Sequence, residues 1–204
     1  MGMPQAAHRY TIDEVLAFPS DGNRYELVHG ELLVTPAPAQ QHQKIVTRLC
    51  AGLEAYVAGR HSEAEVFVAP ADIFWGPEEY VQPDLCVVPA DEVTGDWRDC
   101  QTLLLAVEVV SPSSAQADRV KKRRLYQARG VSTYWIVDPD ARMVEVWRPD
   151  DERPEIVTDV LRWRVGAEAE ELAIDLAEVF SPLLPPAPGR RGEGGGSPTL
   201  RPTL

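Results

Sequence analysis

Two acidic residues stand inside apolar stretches of the chain. Asp84 follows Pro83 directly before the apolar residues 85–88, and Glu108 falls within the nearly continuous apolar run 103–110. A carboxylate buried among apolar side chains loses its hydration, which is costly unless a partner compensates. Two neighbouring carboxylates repel each other, and this repulsion raises the pKa of one of them. A divalent cation bound between them offsets the repulsion. The pair therefore predicts part of a metal site; the simpler alternatives are a turn acid at Asp84 and an arginine-paired buried acid at Glu108.

A metal site of this kind suits the hydrolysis of a phosphodiester. The cation polarises the phosphate and lowers the pKa of an attacking water. Magnesium is held by one or two carboxylates and keeps several waters, so two acids on neighbouring strands meet its requirement. A lysine ammonium close by stabilises the charge of the pentavalent state.

A strongly basic segment follows the second carboxylate. Its six basic residues, with no acid among them, are Arg119, Lys121, Lys122, Arg123, Arg124 and Arg129. Most such runs are solvated helix faces. The position directly after Glu108 favours the alternative that this helix approaches phosphate groups.

Composition and charge limit the class of protein. The net charge of −12 argues against a protein that coats nucleic acid, but it leaves room for an enzyme with a local basic groove. No apolar run approaches the length of a membrane span, and no secretory core opens the chain. The three cysteines form no CxxC pair. We therefore expect a cytoplasmic protein without a membrane association.

Elements able to position the acids follow from the pattern of residues. Thr11 and Glu14 form a capping box that opens a short helix, and His29-Gly30 suits the turn of a hairpin between residues 24–28 and 31–34. Further helices are predicted at about 40–58, 115–129 and 176–180. Further strands are predicted at 66–74, 82–88, 103–110, 133–137, 143–147 and 156–158.

The chain divides into a long folded part and a short tail. Residues 1–184 suffice for one domain with a substantial core. Residues 185–204 are dominated by Pro, Gly, Arg and Ser, a composition that predicts a disordered tail.

Taken together, these motifs resemble the PD-(D/E)XK, restriction-endonuclease-like superfamily and, within it, the Uma family of endonucleases. The resemblance is carried, over roughly residues 10–180, by residues 25–30, His42, Pro83-Asp84, 108–113, 118–122, Tyr126 and 130–139. It implies an α/β fold with a central mixed β-sheet flanked by α-helices and an N-terminal hairpin. It also implies a metal-dependent endonuclease that cleaves DNA, uses Mg²⁺ or Mn²⁺ and acts as a homodimer or other homo-oligomer.

The lysine of the superfamily motif is displaced in this chain. Two residues after Glu108, where the superfamily has its lysine, stands Val110. By the family resemblance Lys122 takes its place, on the following helix. Asp118, Lys122 and Tyr126 are spaced four residues apart and so share one helix face, which makes the displacement geometrically reasonable.

The resemblance and the residues assign further roles. Asp84, Glu108 and Lys122 are the predicted catalytic residues, with a backbone carbonyl near Val109 as a further metal ligand. The predicted auxiliary residues are Glu26, His42, Asp118 and Tyr126, and the predicted phosphate-backbone contacts are Arg119, Lys121 and Arg123. The simpler alternatives are an exposed hairpin acid at Glu26, a surface or capping histidine at His42, and packing on the sheet for Tyr126.

Two other functions are compatible with the sequence. The displaced lysine and the acidic net charge favour a catalytically inactive binding or assembly module that keeps the nuclease fold. A phosphoesterase for a small nucleotide would use the same residues.

Overall fold

A six-stranded mixed sheet forms the centre of the protein. The computed structural model describes residues 8–60 and 63–183, so the predicted tail at 185–204 lies outside the described residues. The central sheet has the order β10-β9-β8-β7-β6-β3. Its strands are β3 (Ala64–Val68), β6 (Leu85–Pro89), β7 (Leu105–Val109), β8 (Tyr134–Asp138), β9 (Met143–Trp147) and β10 (Glu155–Val157). Only the β7–β8 pair is parallel among these neighbours; the other pairs are antiparallel. The predicted α/β fold class is confirmed.

A helical segment connects the two parallel strands. Parallel strands need a crossover, and here it is a π-helix at Ala117–Lys122 followed directly by α3 (Arg123–Ala128). The prediction of a helix at 115–129 was therefore right in place but missed the π-helical turns. A π-helix inside a helix is rare and is frequently found at functional sites.

The two faces of the sheet are buried by different elements. One face packs through Leu85, Val107 and Val109 against α2 (Gln40–Arg60), which contributes Leu49 and Leu53 to that core. The alternate residues of the same strands, such as Cys86 and Ala106, pack on the other face with Leu125 and Tyr126 of the crossover. Burial on both faces explains why β6 and β7 are almost wholly apolar.

A smaller antiparallel sheet covers part of the second face. Its strands, in the order β2-β1-β5-β4, are β1 (Arg24–Val28), β2 (Glu31–Thr35), β4 (Ile73–Phe74) and β5 (Tyr80–Val81). The first two form the predicted hairpin, with positive φ at His29 and Gly30. The capping box at Thr11 and Glu14 also forms, at the start of α1 (Ile12–Leu16). The hairpin thereby brings β1 to the end of β6 where Asp84 lies.

Two strand predictions had the wrong bounds, and β5 and one hairpin were not predicted. The predicted strand 66–74 is two strands in different sheets, because Pro70 cannot continue a hydrogen-bonded ladder. The predicted strand 82–88 begins only at Leu85, after Pro83. The hairpin of β11 (Val160–Trp163) and β12 (Leu172–Asp175) was not predicted; it precedes α4 (Leu176–Val179).

No helix in the described ranges combines the length and the apolar character that crossing a membrane requires.

Candidate active site

The two acids predicted from the sequence come together at one end of the β6–β7 pair. Leu85 pairs with Val107 in the antiparallel register, and Asp84 and Glu108 are the chain neighbours of this last pair. The backbone N–H of Val109 donates to Asp84, and the charge of Asp84 contributes to the raised pKa of Glu108, so the two acids lie close together. Both acids are buried, with 4% of Asp84 and 1% of Glu108 exposed.

Asp84 is held by three donors from three different elements. Arg24 on β1 donates from Nη1 to Oδ1 at 2.8 Å. His42 on α2 lies with Nε2 2.9 Å from Oδ2, and the backbone N–H of Val109 donates to the same oxygen at 2.9 Å. Burial by itself raises the pKa of Asp84, but the His42 hydrogen bond and the Arg24 charge outweigh it and lower the pKa to about 2. Asp84 is therefore an anion throughout the physiological range.

Glu108 has different surroundings. Lys122 donates from Nζ to Oε1 at 2.9 Å, and the Tyr126 hydroxyl donates to the same oxygen at 3.0 Å. Burial raises the pKa of Glu108 well above its usual value, and the charge of Lys122 offsets only part of that effect. The two acids of the pair thus differ strongly in how firmly they hold a proton.

Lys122 is enclosed at the centre of three carboxylates. Its Nζ lies 2.7 Å from Glu26 Oε1, 2.9 Å from Glu108 Oε1 and 3.6 Å from Asp118 Oδ1. Burial lowers the pKa of this ammonium, but the surrounding acids, Glu108 foremost, raise it above its usual value. The side chain is 2% exposed, so it remains charged inside the protein rather than at its surface.

Glu26 contacts both Lys122, the partner of Glu108, and Arg24, the partner of Asp84. Its Oε1 also accepts the backbone N–H of Gln82 at 2.8 Å. Its Oε2 is buried with no hydrogen-bond partner, and the nearest cationic atom in an ion pair with it is Arg24 Nε, at 3.7 Å. A buried carboxylate oxygen without a donor is unusual and marks a position where a further positive group would be favourable.

All four predicted auxiliary residues lie in the cluster around Asp84, Glu108 and Lys122. One further member of this cluster was not predicted. Glu26, Asp118 and Tyr126 surround Lys122 and Glu108, and His42 contacts Asp84. Arg24, which contacts Asp84, was not predicted. A signal was present, since Arg24 and Glu26 are two residues apart on a strand and therefore share a face.

The predicted phosphate contacts are bonded within the protein. Arg119 donates to Glu145 and Asp138, each at 2.6 Å, and Lys121 forms an ion pair with Glu31. These contacts do not test the prediction that the basic residues meet DNA, which stays a prediction. Arg123, the third predicted phosphate contact, donates to Gln127 at 2.7 Å, and its guanidinium carbon lies 4.6 Å from the centre of the Trp147 ring.

A cleft of about 650 Å³ opens onto one half of the cluster. Arg24, His42 and Asp84 line it, whereas Glu26, Glu108 and Lys122 do not. Its other walls are the loop before β1, the segment 35–43 and the turn 111–114. The site thus has an open part around Asp84 and an enclosed part around Lys122. Within residues 8–60 and 63–183, no group of three or more His, Cys, Asp or Glu is arranged to bind a metal ion.

The mixed sheet flanked by helices is a restriction-endonuclease-like α/β fold. A family model named Uma2, described as "Putative restriction endonuclease", matches residues 12–177, and the chain belongs to that family. The match covers every residue of the cluster described above.

A solved structure agrees with this assignment at the level of the fold. The crystal structure of a putative nuclease belonging to DUF820 from Anabaena variabilis has a TM-score of 0.69 and 23% sequence identity to this chain. The match covers 84% of this chain and 98% of that one. No match was found among curated proteins.

Proposed function

We propose that this protein is an endonuclease that hydrolyses DNA phosphodiester bonds with the help of Mg²⁺ or Mn²⁺. Asp84 and Glu108 would hold the ion, with a backbone carbonyl near Val109 as a further ligand. The observation that carries the proposal is that Asp84, which lines a cleft, lies close enough to the buried Glu108 for its charge to raise the pKa of Glu108, with Lys122 Nζ 2.9 Å from Glu108. Membership of a family described as restriction endonucleases supports it.

The charge of the cluster fits a divalent cation. Its acids are Glu26, Asp84, Glu108 and Asp118, and its cations are Arg24 and Lys122. If all four acids were ionised they would exceed the two cations by two, and the burial that makes such an excess costly raises the pKa of Glu108 and of Asp118. A divalent ion would balance the excess, and Mg²⁺ needs only one or two protein carboxylates because it keeps its waters. The unpartnered Oε2 of Glu26 is consistent with a missing positive group.

Each residue has a task in this proposal. A bound ion would polarise the phosphate and activate water. Asp84, ionised and open to the cleft, would present its carboxylate to the ion. Lys122 orients Glu108 through its hydrogen bond to Oε1 and places a positive charge 2.9 Å from that oxygen. Tyr126 fixes the same carboxylate oxygen by its hydrogen bond.

One observation favours the alternative of a catalytically inactive module with a nuclease fold. Lys122 is enclosed and shared among three acids, and it does not line the cleft that a substrate would enter. In that case the cluster would serve stability alone. A homodimer and a cytoplasmic location remain predictions of the resemblance and the composition.

Nicking of supercoiled plasmid separates the two functions. We expect the protein to nick plasmid with Mn²⁺ or Mg²⁺ and not with EDTA. Asp84→Asn and Glu108→Gln should each lower the rate at least a hundredfold, because each would remove a ligand of the ion. The matched control is Glu65→Gln, an exposed acid on β3 of the same sheet, which should keep the full rate. Equal rates for all variants, or no cleavage of either the plasmid or a circular single strand by the unmodified protein, would support the inactive module.

A further inference from the structure

The cleft beside Asp84 has very little positive charge. Of the side chains that line it, Arg24 is the one permanent cation, and the acids are Asp84 and Asp140. Most of the remaining walls are neutral, with small or amide-bearing residues such as Ala37, Gln43 and Ser113. Hydroxyl and amide groups can bind phosphate oxygens, but they do not replace the charge of Lys and Arg.

The basic segment of the crossover does not supply the missing charge to the cleft. Its cations from Arg119 to Arg129 are absent from the cleft walls, and most of them are bonded elsewhere. Arg129, for example, donates to Glu79 and to the carbonyl of Trp75, both at 2.6 Å. Duplex DNA carries one negative charge per roughly 1.7 Å of its axis, so a duplex laid on a protein meets many phosphates at once. A protein with a net charge of −12 would need a basic surface to compensate for that repulsion.

Arg24 is placed to receive one phosphate group. Both of its hydrogen bonds within the described ranges leave from Nη1, to Gln82 O at 2.9 Å and to Asp84 Oδ1 at 2.8 Å. The side chain is 19% exposed and lines the cleft, and its Nε lies 3.7 Å from Glu26 Oε2, so Nη2 is the nitrogen left for a phosphate oxygen in the cleft. A hydrogen bond from an arginine N–H to a phosphate oxygen is charge-assisted and therefore strong.

We infer that the cleft takes one phosphate ester at a time, received by Arg24, and therefore a single strand or nucleotide rather than an intact duplex. The inference rests on the proposed function, since it assumes that the cleft is where the phosphodiester reacts. Its volume of about 650 Å³ lies in the range of pockets that bury ligands of nucleotide size.

Fluorescence anisotropy of labelled probes in EDTA tests this inference without any cleavage. The probes are a 12-nucleotide single strand and the same sequence as a hairpin duplex, each measured over a range of salt concentrations. We expect the single strand to bind at least tenfold more tightly. The slope of log affinity against log salt should be about −0.7, the value for one phosphate contact on a single strand.

Variants of Arg24 identify the side chain that binds the phosphate. A competing nucleotide shows whether that phosphate belongs to a strand or to a free nucleotide. Arg24→Gln should abolish single-strand binding, and Arg24→Lys should retain part of it because the charge remains. Circular dichroism and the melting temperature establish that both variants fold. Arg124→Gln, which removes an exposed cation of the basic segment, should change nothing. Displacement by an equal concentration of dTMP would identify free nucleotides as the ligand, and displacement only at hundredfold excess would identify a strand.

Other results would overturn the inference. One is tighter binding of the duplex than of the single strand. Another is a salt slope steeper than about −3, which indicates four or more phosphate contacts. A loss of affinity in Arg124→Gln, or no binding of any probe, would also overturn it. A nuclease that nicks plasmid but shows the steep slope would refute the single-phosphate cleft alone. Binding through Arg24 without metal-dependent nicking would instead refute the endonuclease.

Discussion

Lys122 acts in this structure as the shared counter-ion of Glu26, Glu108 and Asp118. Its position follows from the π-helical turns of the crossover, which direct Asp118 and Lys122 into the same buried cluster. A buried charge is retained only where partners surround it, so the lysine and the acids depend on one another. The displaced lysine therefore reaches Glu108 from a neighbouring helix instead of from the same strand.

Replacement of this lysine should destabilise the protein strongly. In Lys122→Met the three acids lose their common cation, and breaking a buried ion pair typically costs about 3–5 kcal/mol. The free energy of unfolding in urea at pH 7 measures the loss. Lys44→Met removes an exposed lysine of α2 and should change stability by less than about 0.5 kcal/mol. A loss below about 1 kcal/mol in Lys122→Met would show that the ammonium is not the counter-ion of the cluster.

The residues of the site differ in how far the sequence could predict them. Asp84 and Glu108 were predictable because charge in an apolar run demands a partner. The interaction between Arg24 and Asp84 joins residues 60 positions apart; the spacing of Arg24 and Glu26 puts both on one face of a strand, but it does not indicate that Asp84 is the partner. Contacts of this range depend on which strands meet, which periodicity alone does not determine.

At the scale of elements, the first hairpin carries Arg24 and Glu26 to the site. Its two-residue turn holds His29 at φ 49° and Gly30 at φ 75°. Such a turn matches the right-handed twist of the strands, and it fixes the register that pairs Glu26 with Leu33. The turn residues therefore determine which face of β1 meets the cluster.

Gly30→Ala should destabilise the hairpin. A left-handed conformation costs a residue with a Cβ about 1–2 kcal/mol, and the new Cβ would also lie 2.9 Å from Arg9 Nε. Urea denaturation should show a loss of about that size. Gly52→Ala in the interior of α2 is the matched control, because its Cβ would make an ordinary contact with Ile174 at 3.5 Å. That variant should gain about 0.5–1 kcal/mol from helix propensity. Equal effects of the two substitutions would contradict this account of the turn.

Local signals predicted some elements well and others poorly. The capping box and the His29-Gly30 turn are short-range signals, and both elements form where they were predicted. The π-helical turns at Ala117–Lys122 have no such local signal in the sequence. The hairpin of β11 and β12 is short and depends on tertiary packing, since Ile174 shares a buried core with Leu49 and Leu53 of α2.

For the whole molecule, the α/β class was predicted from the family resemblance, and the order of the predicted helices and strands is compatible with it. A parallel β7–β8 pair with a helical crossover follows from an apolar strand, a helix and a second apolar strand. The distribution of charge was less predictable. The sequence shows a basic segment in an acidic chain, but the structure shows that its cations are largely bonded to acids of the same molecule, as Arg119 is to Asp138 and Glu145.

A crystal soaked with Mn²⁺ and measured for anomalous scattering would reveal whether Asp84 and Glu108 share a divalent ion. We expect one peak between the two carboxylates, about 2.1 Å from an oxygen of each, which is the distance that small divalent ions require. The peak should be absent in Glu108→Gln and retained in Glu65→Gln. Density at neither acid in the unmodified protein, or a peak that persists in Glu108→Gln, would contradict a shared ion.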